Sequence, residues 1–234
     1  MQLYFFDTET TGLENDDRII QFAGKTNSDP KDFCYMEYFK TEKEINLMAM
    51  ATHHITPEIL NGKRNFKAFL PELNEIINDN VLVAHNAPFD IKMIEREGAD
   101  KPKFVIDTNK VAQSLLQYNE KEPEQYKMQY LRYFLGIKLD VDVMAHDAAG
   151  DVYVLEAIFW ELFKRVKGEN DKDKITKMIN ISNTPLLLRR FSFGKHKGAE
   201  MKDVPTSYFR WCTDTIKDLS EDLFYTINTE LNKR

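Results

Sequence analysis

The tetrapeptide Val81-Leu-Val-Ala84 constrains the fold most. Four consecutive apolar residues without polar alternation need cover on both faces, as on an interior strand of a sheet flanked by helices. The neighbouring segments supply such cover. Asn65 to Asn78 carries Phe66, Phe69, Leu70, Leu73, Ile76 and Ile77 at helical spacing. After the run, Pro88 suits the first turn of a helix that ends near Glu97, before Gly98.

Other strands read from local composition. Leu3 to Phe6 is apolar and aromatic, and Arg18 to Lys25 and Phe33 to Phe39 follow across turns rich in Asn, Asp, Ser and Pro. Short links predict an antiparallel meander of these three. Asn46 to Lys63 predicts one or two short helices. Lys103 to Thr108 predicts a further strand ending on Asp107. Helices are expected at Asn109 to Tyr118, at Gln125 to Leu135, and from an Asp147 cap to about Lys167. This order predicts an α/β fold with a mixed five-stranded sheet flanked by helices. The charged break at Lys167 to Lys174 predicts a boundary. It divides a main domain, 1–167, from a linker with a short helix, 168–184, and a small C-terminal module, 185–234. The module is too short for a large core of its own, so it leans on the main domain or joins a dimer.

A net charge of −6 means that the surface as a whole does not attract polyanions. Nucleic acid would need metal ions or a local basic patch. Cys34 and Cys212 predict unlinked thiols, and no close-spaced zinc ligands occur. The absence of a long apolar run or leader predicts a cytoplasmic protein without membrane contact.

The acids carry the chemical signal. Asp7 and Glu9 are two apart on an extended strand and so share a face. Like charges this close raise each other's pKa unless a cation intervenes, and hard oxygen ligands suit Mg²⁺ or Mn²⁺. Alone, the pair reads equally as a strand running into a polar turn. Ligands of open α/β sheets sit beyond the strand C-termini, where Asp7 and Glu9 stand and which Asp90 just follows. His146 and Asp151 are five apart and share no helical face. If they meet, His146 lies in the loop before the helix and Asp151 in its first turn.

Three motifs together resemble a known family. Asp7-Thr-Glu9, Asn86-Ala-Pro-Phe-Asp90 and His146-Asp-Ala-Ala-Gly-Asp151 resemble the three exonuclease motifs of the DnaQ-like superfamily, and the third has the HxxxxD form of its DEDDh branch. Met50-Ala-Thr-His-His-Ile-Thr56 resembles a further segment of that branch. There the family has Gly where His54 stands, which predicts a different local backbone. Phe191-Ser-Phe-Gly-Lys-His-Lys-Gly198, Val204-Pro and Tyr208-Phe-Arg-Trp211 resemble the C-terminal module of the bacterial exonuclease X group.

The resemblance implies a ribonuclease H-like fold and a 3′→5′ exonuclease that uses two divalent cations, Mg²⁺ or Mn²⁺, to release 5′-mononucleotides. It implies Asp7, Glu9, Asp90 and Asp151 as metal ligands, with Asp7 bridging both ions, and His146 as general base. Leu13 and Phe89 resemble residues packed on the terminal nucleotide, although Phe89 reads equally as core. Thr8 is expected to offer its backbone N–H to the 3′ hydroxyl, and His53 to meet phosphate or sugar. Asn86 and Asp147 read as helix caps and Asp107 as a structural hydrogen-bonding acid. His85 and His54 have no assigned role. Nucleic-acid 3′ ends are the expected partner, DNA before RNA. An exoribonuclease, a polymerase-associated proofreading subunit and an idle nucleic-acid-binding scaffold stand as alternatives, and a homodimer stays open.

Arg189, Arg190, Lys195, His196, Lys197 and Lys202 form a basic stretch interleaved with Phe191, Phe193, Tyr208, Phe209 and Trp211. Cations among aromatics suit single-stranded nucleic acid. The other reading makes the aromatics the core of the small module. Gly194 and Gly198 predict a tight hairpin turn.

Overall fold

A computed structural model describes residues 2–31, 33–139 and 147–234. Five strands, β1 (Leu3–Thr10), β2 (Ile19–Thr26), β3 (Tyr35–Tyr38), β4 (Val81–Ala84) and β5 (Val105–Asp107), form one sheet in the order β3-β2-β1-β4-β5. β2 runs antiparallel to β1 and β3, giving the predicted meander. β4 runs parallel to β1 and β5. All four residues of β4 are buried, as a two-sided interior strand requires.

The helices are α1 (Leu47–His53), α2 (Pro57–Leu60), α3 (Leu70–Asp79), α4 (Ala87–Glu97), α5 (Thr108–Leu116), α6 (Met128–Phe134), α7 (Ala148–Arg165), α8 (Asp171–Asn183), α9 (Thr206–Thr215) and α10 (Glu221–Asn232). The apolar stretch before β4 splits into a 3-10 turn, Phe66–Phe69, and α3. Pro71 is tolerated there because it falls in the first turn of α3, where its missing N–H costs nothing.

Alternation along β1 sorts its side chains between two cores. Leu3 and Phe5 join Val83, Ile106 and the α7 residues Leu155 and Phe159. Phe5 and Phe159 meet edge to face with centroids 5.2 Å apart. Tyr4 and Phe6 join Phe22, Phe69, Leu73 and Ile94 on the other side. Continuing this alternation places residues 7 and 9 on the α7 face. Lys25 of β2 is buried and pairs with Glu156 of α7 at 2.9 Å. A buried ammonium needs such a partner, so the pair fixes α7 across the sheet.

The segment expected as a linker with a short helix contains α8, whose Ile175, Met178 and Ile179 enter the α7 core. Asn170 caps it through Asp173 N–H, which lengthens it beyond the apolar stretch alone. The C-terminal segment builds its own small core from Phe191, Val204, Phe209, Cys212 and Ile227. Gly194 and Gly198 both have positive φ, 61° and 85°, and the turn around them is closed by an antiparallel bridge between Arg190 and Glu200. Helices α9 and α10 have no counterpart in the sequence reading, because their amphipathic stripes are short and interrupted by polar residues. The module leans on α5. Gln117 Nε2 donates to Leu187 O (3.0 Å), Arg189 N donates to Gln117 Oε1 (3.1 Å), and Lys110 pairs with Asp222 (3.2 Å). Cys34 and Cys212 are free thiols. No helix among the described residues is long and apolar enough to cross a membrane.

Gly24 lies against the Tyr4 ring, and a Cβ added there would stand 2.3 Å from a ring carbon. Gly24→Ala should therefore cost about 1–3 kcal/mol through overpacking. The measurement is the urea midpoint at constant slope, and an unchanged midpoint would show that the Tyr4 ring has room to move.

Candidate active site

Asp7 and Glu9 project from β1 toward α7, and Asp151 projects from the first turn of α7 toward them. One oxygen from each of the three lies within 4.8 Å of the others. Two glutamines fix the third acid. Gln21 of β2 is buried, donates to Asp147 Oδ1 (3.0 Å) and accepts from Ala148 N–H (3.3 Å), which pins the start of α7 to the sheet. Asp147 also accepts from Gly150 N–H, the expected cap. Gln129 of α6 donates to Asp151 Oδ1 at 2.8 Å.

Asp90 enters from α4 and accepts from Thr8 Oγ1 at 2.6 Å. Asn86 occupies the position before α4 in a left-handed conformation (φ 66°) and makes no side-chain capping bond, unlike its expected role. Its N–H donates instead to Asp107 Oδ1 (2.9 Å), which also accepts from Asn109 N–H (2.9 Å). Asp107 is thus a structural acid that joins the starts of α4 and α5. His85 is held between Thr108 Oγ1 and Tyr126 O. His146 lies outside the described residues.

The electrostatics are one-sided. Burial pushes Asp7 well above the usual carboxylate range, and the nearby charges of Asp90, Asp151, Glu9 and Asp147 push it further. Burial, then Asp151, Asp90 and Asp147, carry Glu9 to about 8. Burial carries Asp90 to about 7 against the opposing hydrogen bond from Thr8. Dehydrated, mutually repelling oxygen donors fit a divalent cation by charge and by ligand hardness.

Beside the acids, Thr8, Glu9, Leu13, Met48, His53 and Phe89 line a cleft of about 510 Å³. All four expected substrate-contacting residues are therefore on one cleft. Phe89 packs partly against the second core and also lines the cleft. His53 Nδ1 accepts from Ile55 N–H (3.0 Å), which leaves the proton on Nε2, 3.2 Å from Thr10 O. His54 ends α1 with φ 61°, the left-handed conformation that favours glycine. The histidine keeps a glycine-type helix end, where a different backbone was expected.

Arg189, Arg190 and Lys202 of the basic stretch are matched by acids. Arg189 pairs with Glu122 and Glu200 (both 3.1 Å), Arg190 with Glu122 (3.2 Å), and Lys202 with Glu200 (2.7 Å). These arginines fasten the module to the segment before α6. Lys195 Nζ stands 5.0 Å from the Tyr208 ring centroid, and exposed Lys197 borders a separate cleft that includes Glu122 and Arg190. None of the four expected patch residues lines the Leu13 cleft. Gln21 and Gln129 have no place in the motifs. Only Gln21 left a trace in the sequence, as an amide inside an apolar strand, where a buried polar group demands a partner.

Comparisons with known proteins agree with this geometry. The RNase T exonuclease family model matches residues 4–159. Exodeoxyribonuclease 10 of Escherichia coli K12 is 26% identical over 232 residues, covering 96% of each chain. The DNA polymerase III epsilon subunit of Treponema pallidum is 31% identical over 162 residues, 66% of this chain and 73% of that one. The PolC-type DNA polymerase III of Clostridium perfringens is 28% identical over 77% of this chain, which spans only 13% of that polymerase. Among solved structures, exonuclease X in complex with 5′-overhanging duplex DNA gives a TM-score of 0.59 at 22% identity, covering 77% of this chain and 99% of that one. The nuclease domain of 3′hExo, a DEDDh family member bound to rAMP, gives 0.54 at 14% identity, covering 70% and 92%. These likenesses show a common ribonuclease H-like fold.

The raised carboxyls set a pH dependence. Folded Asp90 and Glu9 keep protons up to about 7 and about 8, whereas the unfolded chain loses them near 3.8 and 4.5. The native state binds more protons across that window, so metal-free stability falls as pH rises through it and levels off above. The melting temperature of chelator-treated protein should drop between about pH 5 and 8, and Mg²⁺ or Mn²⁺ should raise it more at the upper end. A metal-free melting temperature that climbs across this window would contradict the site's electrostatics.

Proposed function

The chain belongs to the RNase T exonuclease family, and from that membership we propose that it hydrolyses DNA from the 3′ end, releasing 5′-mononucleotides, with Asp7, Glu9, Asp90 and Asp151 holding two divalent cations. The carrying observation is the convergence of the Asp7, Glu9 and Asp151 oxygens within 4.8 Å, in a place where the charges acting on Asp7 are negative. DNA is favoured because the match to an exodeoxyribonuclease runs over 96% of both chains.

Bound divalent cations would activate the attacking water and offset charge on the phosphate and the leaving 3′ oxygen. The protein's share is positioning. Asp7, whose carboxyl is influenced by Asp90, Asp151, Glu9 and Asp147, would serve as a ligand to both cations. The Thr8 hydroxyl donates to Asp90 and the Gln129 amide donates to Asp151, which holds both carboxyl groups in place at the site. His146 is assigned the general base, taking the proton of the attacking water, because an imidazole titrates near neutrality. Leu13 and Phe89 would hold the terminal base by apolar contact that tolerates any base. The Thr8 backbone N–H is assigned to the 3′ hydroxyl, and His53 to the sugar–phosphate side of the cleft.

With Mg²⁺, 3′-labelled single-stranded DNA should yield labelled mononucleotide, and EDTA should stop the reaction. Asp7→Asn should lower kcat by about 10³-fold or more while the far-UV spectrum stays native. Near-wild-type turnover in that variant would remove the metal assignment. Initial release of a 5′ label would refute the polarity, and faster loss of matched RNA would make the enzyme an exoribonuclease.

A further inference from the structure

Apolar surface is concentrated at the mouth of the cleft. Leu13 (83% exposed), Leu47 (80%) and Met48 (78%) have the highest exposures of the large apolar side chains described. Leu13 and Met48 line the cleft, and Leu47 lines an adjoining depression that shares Glu14 and Asn46 with it. The three form one rim around the opening. Leaving such side chains in water is unfavourable, and a cluster of them marks a binding surface.

The rim is also held in place. α1 carries Leu47 and Met48 and is tied at both ends to the residues just before Leu13. Asn46 N–H donates to Thr11 O (2.8 Å), while its Oδ1 accepts from Met48 N–H (2.8 Å). At the other end His53 Nε2 meets Thr10 O (3.2 Å). The two halves of the rim therefore keep a fixed spacing, which lowers the ordering cost of binding. Between Met48 and His53 the cleft wall is Ala49 and Thr52, both neutral.

We propose that Leu47 and Met48 are base-contacting residues that receive the unpaired bases next to the 3′-terminal nucleotide. This rests on the exonuclease reading of the cleft and extends it beyond the nucleotide at the acids. Continuity with that cleft identifies the occupant, since a strand with its last phosphodiester at Asp7 and Glu9 must leave past the rim. Aliphatic side chains there contact base faces without reading their edges, so the surface favours a frayed or single-stranded end of any sequence.

The test compares two substrates in the full-length protein with Mn²⁺. One is a thymidine monophosphate p-nitrophenyl ester, which fills only the terminal position, and the other is a thymidine trinucleotide, which reaches the rim. In Leu47→Ser/Met48→Ser, the ratio of kcat/KM for trinucleotide to that for ester should fall about tenfold, the effect of losing roughly one large apolar contact. Both side chains are exposed, so the fold does not depend on them. A wild-type ratio in the double variant overturns the proposal and leaves the rim to some other partner. If the wild-type protein hydrolyses neither substrate, the exonuclease reading falls and this proposal falls with it.

Discussion

The crowding of carboxylates at the end of β1 is the constraint on which the rest of this structure turns. Asp7, Glu9, Asp90 and Asp151 come from three separate elements, and burial together with the charges of the neighbouring acids makes Asp7 and Glu9 harder to ionise. Nothing local favours that assembly. It is imposed by the alternation of β1, which sends Leu3 and Phe5 into the α7 core and carries Asp7 and Glu9 with them to the same side. Buried side chains along α7 hold its first turn over the sheet, and Lys25 with Glu156 adds a charged fastening further along. Hydrophobic burial elsewhere offsets the cost of a strained charge cluster, the usual relation between a scaffold and its site.

Much of this was legible in the sequence, because the signals were short and local. The run 81–84 specified a two-sided strand, and the β4 boundaries match it. The meander followed from turn composition, and Asp147 as the α7 cap followed from its place before an apolar stripe. The acids were legible as motifs. The amides that orient them were not. Gln129 reaches Asp151 across a gap of 22 residues, and Gln21 reaches Asp147 across 126. Sequence spacing carries no trace of such bonds. His54 shows the opposite error. A residue unlike glycine suggested a changed backbone, yet the chain kept the left-handed helix end and placed a histidine in it.

The C-terminal segment shows how charge read along a chain is redistributed by folding. Its basic residues read as a patch for phosphates, and its aromatics either as partners for bases or as the core of the small module. In the structure Arg189 and Arg190 face Glu122 and Glu200, and Phe191 and Phe209 are core. Charge along the chain is not charge presented to solvent when acids from another segment meet it. What these pairs do present is a tether between the C-terminal segment and the segment before α6. Among the described residues, the most exposed large apolar side chains lie instead at Leu13, Leu47 and Met48.

The central claim is that the acids at the end of β1 form a two-cation site. Anomalous diffraction from crystals soaked with Mn²⁺ and a nucleoside 5′-monophosphate tests it most directly. The account predicts two peaks, one within coordination distance of Asp7, Glu9 and Asp151 and the other shared by Asp7 and Asp90. Absence of Mn²⁺ from this cluster, with occupied sites elsewhere in the same crystal, would contradict it.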